Sequence, residues 1–297
     1  VIGGPIYRGT KLLALNGTFI YGDYITGTIW GLKSDGEDSY VHTTLVDTDQ
    51  RITAFAEGSA GELFVLDYDY TGQIYELVPS GLQDKSADFP RRLSETGLFT
   101  SLKTMTPAPG IMPYDVVVER WVDGATAKRW VAIPESGSIT LGDGTTPASY
   151  PEGTVFVKHL TMPEADSTQD PLPLETQILH FENGSWHPYS YLWDDGKTDA
   201  TLVDSAGTDH EFGFASPGGA VDEVTGRTWH ANAENECRMC HNAGSGFVLG
   251  FVPNQLHRAL SSSKEDVQNQ LDSLASHRVV ASAARLPEDS PAELVDP

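Results

Sequence analysis

The chain has 297 residues, a length that predicts two domains, and 39% of them are apolar, enough for ordinary cores. Its formal net charge of −23 argues against a nucleic-acid partner and disfavours docking on anionic lipid; it suits solubility, a saline habitat or a basic redox partner. No run approaches the ~20 apolar residues of a membrane-spanning helix, and Val1-Ile2-Gly3-Gly4-Pro5 lacks the basic start of a signal peptide.

Residues 1–80 read as short strands. Phe19–Tyr24 and Thr28–Leu32 are joined by Ile25-Thr26-Gly27, a polar loop leads to Ile52–Ala56, and Glu62–Asp67 and Gln73–Val78 form a hairpin around Tyr70-Thr71-Gly72. The stretch Asp23–Leu32 echoes Asp69–Leu77, and repeated hairpins of this kind suggest a propeller blade, which needs neighbours to bury its faces. Asp67 and Asp69 are calcium candidates, but loop aspartates at a hairpin also serve as caps.

Residues 81–110 read as a linker, polar from Gly81 to Arg92, with a short helical turn at Leu93–Phe99 and an extended Thr106–Gly110. Residues 111–258 are again strand-rich. Strands are expected at Val116–Val118, Arg129–Ile133, Thr154–Leu160 and Glu175–Phe181. Asn183-Gly184 reads as a hairpin turn into Trp186–Trp193, and Asp194-Asp195-Gly196 turns the chain back toward Ala200–Val203. The expected fold class is mainly β: a propeller blade, then an antiparallel sheet with a few helices.

The chemistry-bearing stretch is Cys237-Arg238-Met239-Cys240-His241, the C-x-x-C-H pattern of covalent c-type haem attachment. Two thiols at this spacing can each add to a vinyl group of one porphyrin, and the adjacent His241 is placed to bind the iron. These are the only two cysteines, and neither the second C-x-x-C nor the H-x-x-x-H pair of a structural zinc site is present. A thioredoxin-like dithiol would follow a strand in a βαβ pattern and would not require the histidine. For the sixth iron position Met105, Met112 and Met162 are available, with His159, His180, His187, His210 and His230 as alternatives; an aromatic cap from Phe156 or Phe181 would leave the site open.

After the motif, Phe247–Val252 is an apolar run suited to packing on a porphyrin or the sheet. Residues 259–297 begin with a helix start at Ser263-Lys264-Glu265-Asp266, followed by Val267, Leu271 and Leu274 on one face, and end in an acidic, Pro-rich linker from Pro287.

Three resemblances accompany these readings. Gly3–Gly9, Tyr21–Tyr24, Gly27–Trp30 and Gly61–Tyr68 make residues 1–80 similar to the last blade of the glucose/sorbosone dehydrogenase β-propellers. Enzymes of that family oxidise sugars with pyrroloquinoline quinone, in blades outside this chain, where calcium would also lie. Phe89–Phe99, Trp121–Ala125, Tyr189–Asp195 and the cysteine stretch resemble a family of diheme c-type cytochromes from environmental bacteria. In those, a propeller, this domain and a second haem domain can share one chain, so the sequence reads as a fragment cut at both ends. More loosely, Tyr150–Lys158 followed by C-x-x-C-H is similar to the β-sheet cytochromes c-prime-beta and their lysine-cross-linked relatives, some of which oxidise hydroxylamine. That likeness would make Lys158 a cross-link candidate, against the plainer role of a lysine snorkelling at a strand end.

The leading expectation is an electron-transfer cytochrome with one haem c, periplasmic or extracellular, accepting electrons from the fused dehydrogenase-like propeller and working with a redox partner protein. The alternatives are a haem enzyme or sensor with an open distal site for small nitrogen or oxygen species, and a non-catalytic scaffold with structural haem.

Overall fold

A computed structural model describes residues 1–36, 39–48, 50–68, 72–79, 89–142, 147–162, 170–204, 207–215, 224–242, 245–258 and 269–281. The chain is mainly β and divides into two units: residues 1–89 with 238–245, and residues 90–237 with 246–297.

In the first unit, β1 (Ile2–Ile6), β2 (Phe19–Gly22), β3 (Thr28–Ser34) and β4 (Tyr40–Asp47) form an antiparallel meander in chain order. β5 (Ile52–Glu57), β6 (Leu63–Asp67) and β7 (Ile74–Glu76) form a second antiparallel sheet. Ile20 and Ile29 from the first sheet and Ile52, Leu63 and Val65 from the second share one core with Tyr7. The β2–β3 turn forms where expected: Asp23 Oδ1 accepts from the amides of Ile25 (2.9 Å) and Thr26 (3.1 Å), and Gly27 supplies the left-handed residue at φ +70°. β4 occupies what reads in sequence as a polar loop. Its alternation is masked because the outward face of this sheet carries Tyr21, Trp30 and His42 rather than a clean polar row. Residues 69–71, which hold Asp69 and most of the second hairpin turn, lie outside the described residues. Among the described residues no closed barrel or propeller is formed.

The second unit is built on a six-stranded antiparallel sheet, again in chain order: β10 (Met112–Tyr114), β11 (Thr126–Ala132), β12 (Val155–Met162), β13 (Leu172–Glu182), β14 (Ser185–Trp193) and β15 (Ala200–Leu202). The β13–β14 turn has Asn183 at φ +55° and Gly184 at φ +75°, the mirror-image two-residue turn that matches strand twist. Among the described residues, two further hairpins, β8 (Phe99–Ser101) with β9 (Thr106–Pro107) and β16 (Thr208–Ala215) with β17 (Val224–Ala231), complete the strands. Three short helices follow: α1 (Glu234–Arg238), α2 (Pro253–Leu256) and α3 (Gln270–Ser276).

Register assigns the side chains to two faces. On one face Trp130, Val157, Ile178 and Tyr189 lie in a row, and the next row is Lys128, His159, Thr176 and Tyr191. Residues 90–110 cover this face. Phe99 meets Trp130 edge-on at 5.2 Å, the Tyr191 hydroxyl donates to Pro90 O at 2.7 Å, and Ser94 donates to Asp199. The expected linker 81–110 is therefore folded from residue 90 onward, while residues 80–88 lie outside the described residues.

The other face has an apolar end, where Val131, Phe156, Leu179 and Trp186 pack with Tyr114, Val248, Phe251, Leu256, Leu271 and Leu274. At its opposite end Leu160 packs with Phe212 and Trp229 of the β16–β17 hairpin. The apolar run Phe247–Val252 thus inserts Val248 and Phe251 into the sheet core, as its composition requires. In α3, Leu271 and Leu274 are buried as expected, and Asn269 caps the helix by accepting from Leu271 N at 2.9 Å. The helix start expected at Ser263–Asp266, Val267 and the acidic end from Pro287 lie outside the described residues.

Val116–Val118 is not a strand; the edge strand is Met112–Tyr114, just before it. The amides here are satisfied without a partner strand: Val116 N donates to Asp115 Oδ1 at 2.9 Å, Val117 N to Gln255 O at 3.0 Å and Val118 N to Gln255 Oε1 at 2.9 Å, while the preceding Asp115 N donates to Gln270 Oε1 at 2.8 Å.

Candidate functional site

The motif begins where β17 ends. Glu236 caps the start of α1, its carboxylate accepting from Ala233 N at 2.8 Å, while Cys237 N donates to Ala233 O at 3.1 Å. The same Glu236 accepts from His230 Nε2 at 3.0 Å, and His230 Nδ1 meets Asp209 at 2.6 Å. These hydrogen bonds, Glu236 first and then Asp209, raise the His230 pKa.

Cys237 belongs to the second unit, and Cys240 and His241 belong with residues 238–245 to the first. Past the helix Asn242 closes the turn, its Nδ2 donating to Met239 O at 2.9 Å and Arg238 O at 3.3 Å. Ser245 Oγ donates to Cys240 O. Cys240 is exposed and His241 half-buried.

Cys237 lies over a polar strip on the sheet face that also carries Phe156 and Leu179. Arg129, Lys158, Gln177 and Ser190 stand directly opposite one another across β11, β12, β13 and β14. The neighbouring row is Ala127, Leu160, Glu175 and Leu192. Cys237 Sγ is 4.0 Å from Ser190 Oγ, and Ser190 is in turn hydrogen-bonded to Glu175. The Glu175 carboxyl, only 1% exposed, also accepts from Gln177 Nε2 and from Trp229 Nε1, each at 3.0 Å.

Burial dominates the ionisation of this cluster. It raises the Glu175 pKa in spite of three hydrogen-bond donors and the Lys158 cation. It lowers the Lys158 pKa, and Arg129 adds to that effect. It pushes the Cys237 thiol up to about 12, with Glu175 as the next cause. Arg129, itself 8% exposed, is held by Asp115 and Glu119 at 3.2 Å each.

The sixth-ligand candidates are spread over the second unit. Lys158 stands on the face beneath Cys237. His159 points to the opposite face, where its Nδ1 meets Thr176 Oγ1 at 2.9 Å and burial pushes its pKa down to about 4. Met162 packs in the cluster of Leu160 and Trp229, Met112 against the cluster of Phe156 and Trp186, and Met105 is buried at φ +48° in the loop between β8 and β9. His180 and His187 pair across β13 and β14, and His210 is bonded to Asp195 at 3.0 Å. Asp67, the other calcium candidate, accepts from Arg51 N at 2.8 Å, as a capping aspartate does. Sequence reasoning missed Glu175, Ser190 and Trp229 as site residues. The available signal was a glutamate between Leu172-Pro173-Leu174 and Ile178-Leu179 in an expected strand, since a charge at a strand centre is rare unless it has partners.

Among the described residues no three His, Cys, Asp or Glu side chains are gathered as a bare metal ion would need. The donor set fits a porphyrin better. The ring brings four nitrogens of its own and asks the protein for two thiols and one imidazole, which Cys237, Cys240 and His241 supply within five residues. No family model and no solved structure matches the chain.

Proposed function

We propose that this chain is part of a c-type cytochrome, with haem held through thioethers at Cys237 and Cys240 and its iron bound by His241. Bound there, the haem would supply one-electron chemistry. The observation that carries this reading is the donor set: both cysteines of the chain lie in one C-x-x-C-H, with no rival cluster among the described residues. The chain would then act outside the cytoplasm, in the bacterial periplasm or beyond it. It would receive electrons from a dehydrogenase-like propeller of which residues 1–80 are the closing blade, and pass them to a redox partner protein or a second haem module. The four-stranded meander β1–β4 supports the blade reading. Any quinone and calcium would belong to blades beyond this chain. The test is expression with c-type maturation followed by haem staining of the denatured protein. Haem should stay with the chain, and should leave it in Cys237→Ser/Cys240→Ser. A colourless product under maturing conditions refutes the reading.

One observation favours a second reading, a haem enzyme or sensor for small nitrogen or oxygen species. Glu175 and Lys158, both with displaced ionisation, stand on the sheet face beneath Cys237, and such groups gather at reactive sites. Binding of carbon monoxide or nitric oxide to the reduced protein would support it; low-spin spectra in both redox states, with neither gas bound, would dismiss it.

A further inference from the structure

We propose that Glu175 is a redox-linked proton site: its carboxylate takes up one proton from solvent when the haem tethered at Cys237 gains one electron, and releases it on reoxidation. The inference rests on the cytochrome reading above. In the balanced step, Glu175 goes from carboxylate to carboxylic acid, forming one O–H bond, while the iron goes from ferric to ferrous. The electron comes from a reduced donor protein or an electrode, so the net charge of the site is the same before and after.

A porphyrin carbon bonded to Cys237 Sγ lies within a bond length of that sulfur, and the sulfur is 4.0 Å from the Ser190 hydroxyl that contacts the Glu175 carboxyl. Both Ser190 and Glu175 are buried, at 3% and 1% exposure, so water screens a charge change there weakly. A charge change on a group tethered at Cys237 and one on this buried carboxyl are weakly screened from each other and must be coupled, and the coupling is reciprocal: whatever electron gain does to the proton affinity, proton gain does to the electron affinity.

The groups facing Glu175 leave it the best placed proton acceptor. From β13 itself comes Gln177, from β14 Ser190, and from β17 the Trp229 indole; none of these titrates in the ordinary range. From α1 comes Cys237, which as a thioether carries no proton. From β12 comes Lys158, with Arg129 beyond it on β11 and Glu119 and Arg120 farther out. Lys158 is the rival, because its amine makes no hydrogen bond or ion pair with the described residues. Burial shifts the two groups in ways that suit the role: the carboxyl is easier to protonate than an ordinary one.

The test is a potentiometric titration of the holoprotein across pH 5 to 9. The midpoint potential of the wild type should fall as pH rises, approaching about 59 mV for each tenfold drop in proton activity where the coupling is complete. The slope should vanish in Glu175→Gln and persist in Lys158→Met. Redox-difference infrared spectra of the wild type, which need no variant to fold, should show a carboxylic acid C=O band appearing on reduction and shifting in D2O. A covalent haem with a flat potential, a slope that survives Glu175→Gln, or no carboxyl band overturns the proton assignment and leaves the cytochrome reading intact. A slope lost only in Lys158→Met transfers the role to the lysine and likewise overturns it. A chain without covalent haem overturns both.

Discussion

Substituting His159 tests the burial argument on the sheet face turned away from Cys237. The imidazole is 3% exposed, and its Nδ1 faces the Thr176 hydroxyl, which also accepts from Trp193 Nε1 at 3.0 Å. Burial, then the Lys128 charge, push its pKa from the ordinary 6.5 down to about 4. A folded-state pKa below the unfolded one means that the unfolded chain binds the proton first. Above about pH 6.5 the ring is neutral in both states and adds no pH dependence. As pH falls from 6.5 to 4 the unfolded state is favoured progressively, and below 4 the loss levels off. At about 1.4 kcal/mol per pH unit, the loss over that window is about 3 kcal/mol. His159→Gln keeps a hydrogen-bonding side chain and removes the titration. Chemical denaturation at pH 7.5 and pH 4 should therefore show the wild type losing about 3 kcal/mol more than the variant between the two. Equal losses in both proteins would refute the assignment of a buried, neutral His159.

Two further outcomes follow from the same structure. In the haem-free chain iodoacetamide should modify exposed Cys240 at least about tenfold faster than Cys237, whose thiol burial and Glu175 push up to about 12; equal rates by peptide mass mapping would count against the packing of Cys237 over Ser190. Gly27→Ala should destabilise the first unit by at least about 2 kcal/mol, because the added Cβ would lie 2.1 Å from Thr48 O at φ +70°, whereas Gly17→Ala, at φ +80° with nothing within 4 Å, should cost about 1 kcal/mol; equal denaturation midpoints would show that the contact with Thr48 is not tight.

What the sequence discloses of this fold depends on how local its determinants are. The β13–β15 part of the meander is legible because its turns are written in adjacent residues: Asn183-Gly184 can adopt the two positive φ angles, and Asp194 Oδ1 accepts from Thr198 N within five residues. Val116–Val118 misleads because the amides of Val117 and Val118 are satisfied by Gln255, about 140 positions away, and that of Val116 by the adjacent Asp115 side chain, rather than by a neighbouring strand. The β16–β17 hairpin escapes a periodicity reading for another reason. Thr208–Ala215 places Asp209, His210 and Glu211 together ahead of the buried Phe212, which breaks the alternation a strand is read by. The motif Cys237–His241 is legible as chemistry at a fixed spacing. Its surroundings are not, since Glu175 and Ser190 reach Cys237 through strand register and through the placement of α1.

That register is the reason to read the polar strip as functional rather than as scaffolding. Arg129, Lys158, Gln177 and Ser190 face the same way only because four strands hold one alignment; a one-residue slip in any of them would turn its member of the row to the other face. Apolar side chains flank the strip at both ends, with Phe156 and Leu179 on one side and Leu160 and Leu192 on the other. Replacing buried ionic groups together with their partners by packed hydrophobic ones is commonly neutral or stabilising by about 1–4 kcal/mol. Stability alone therefore gives little reason to bury Glu175 beneath Trp229 or to place Lys158 near it with no ion pair among the described residues. Chemistry at Cys237 does give one: in this unit the strip is where a tethered redox group would find both a proton acceptor and a cation within the same poorly screened space.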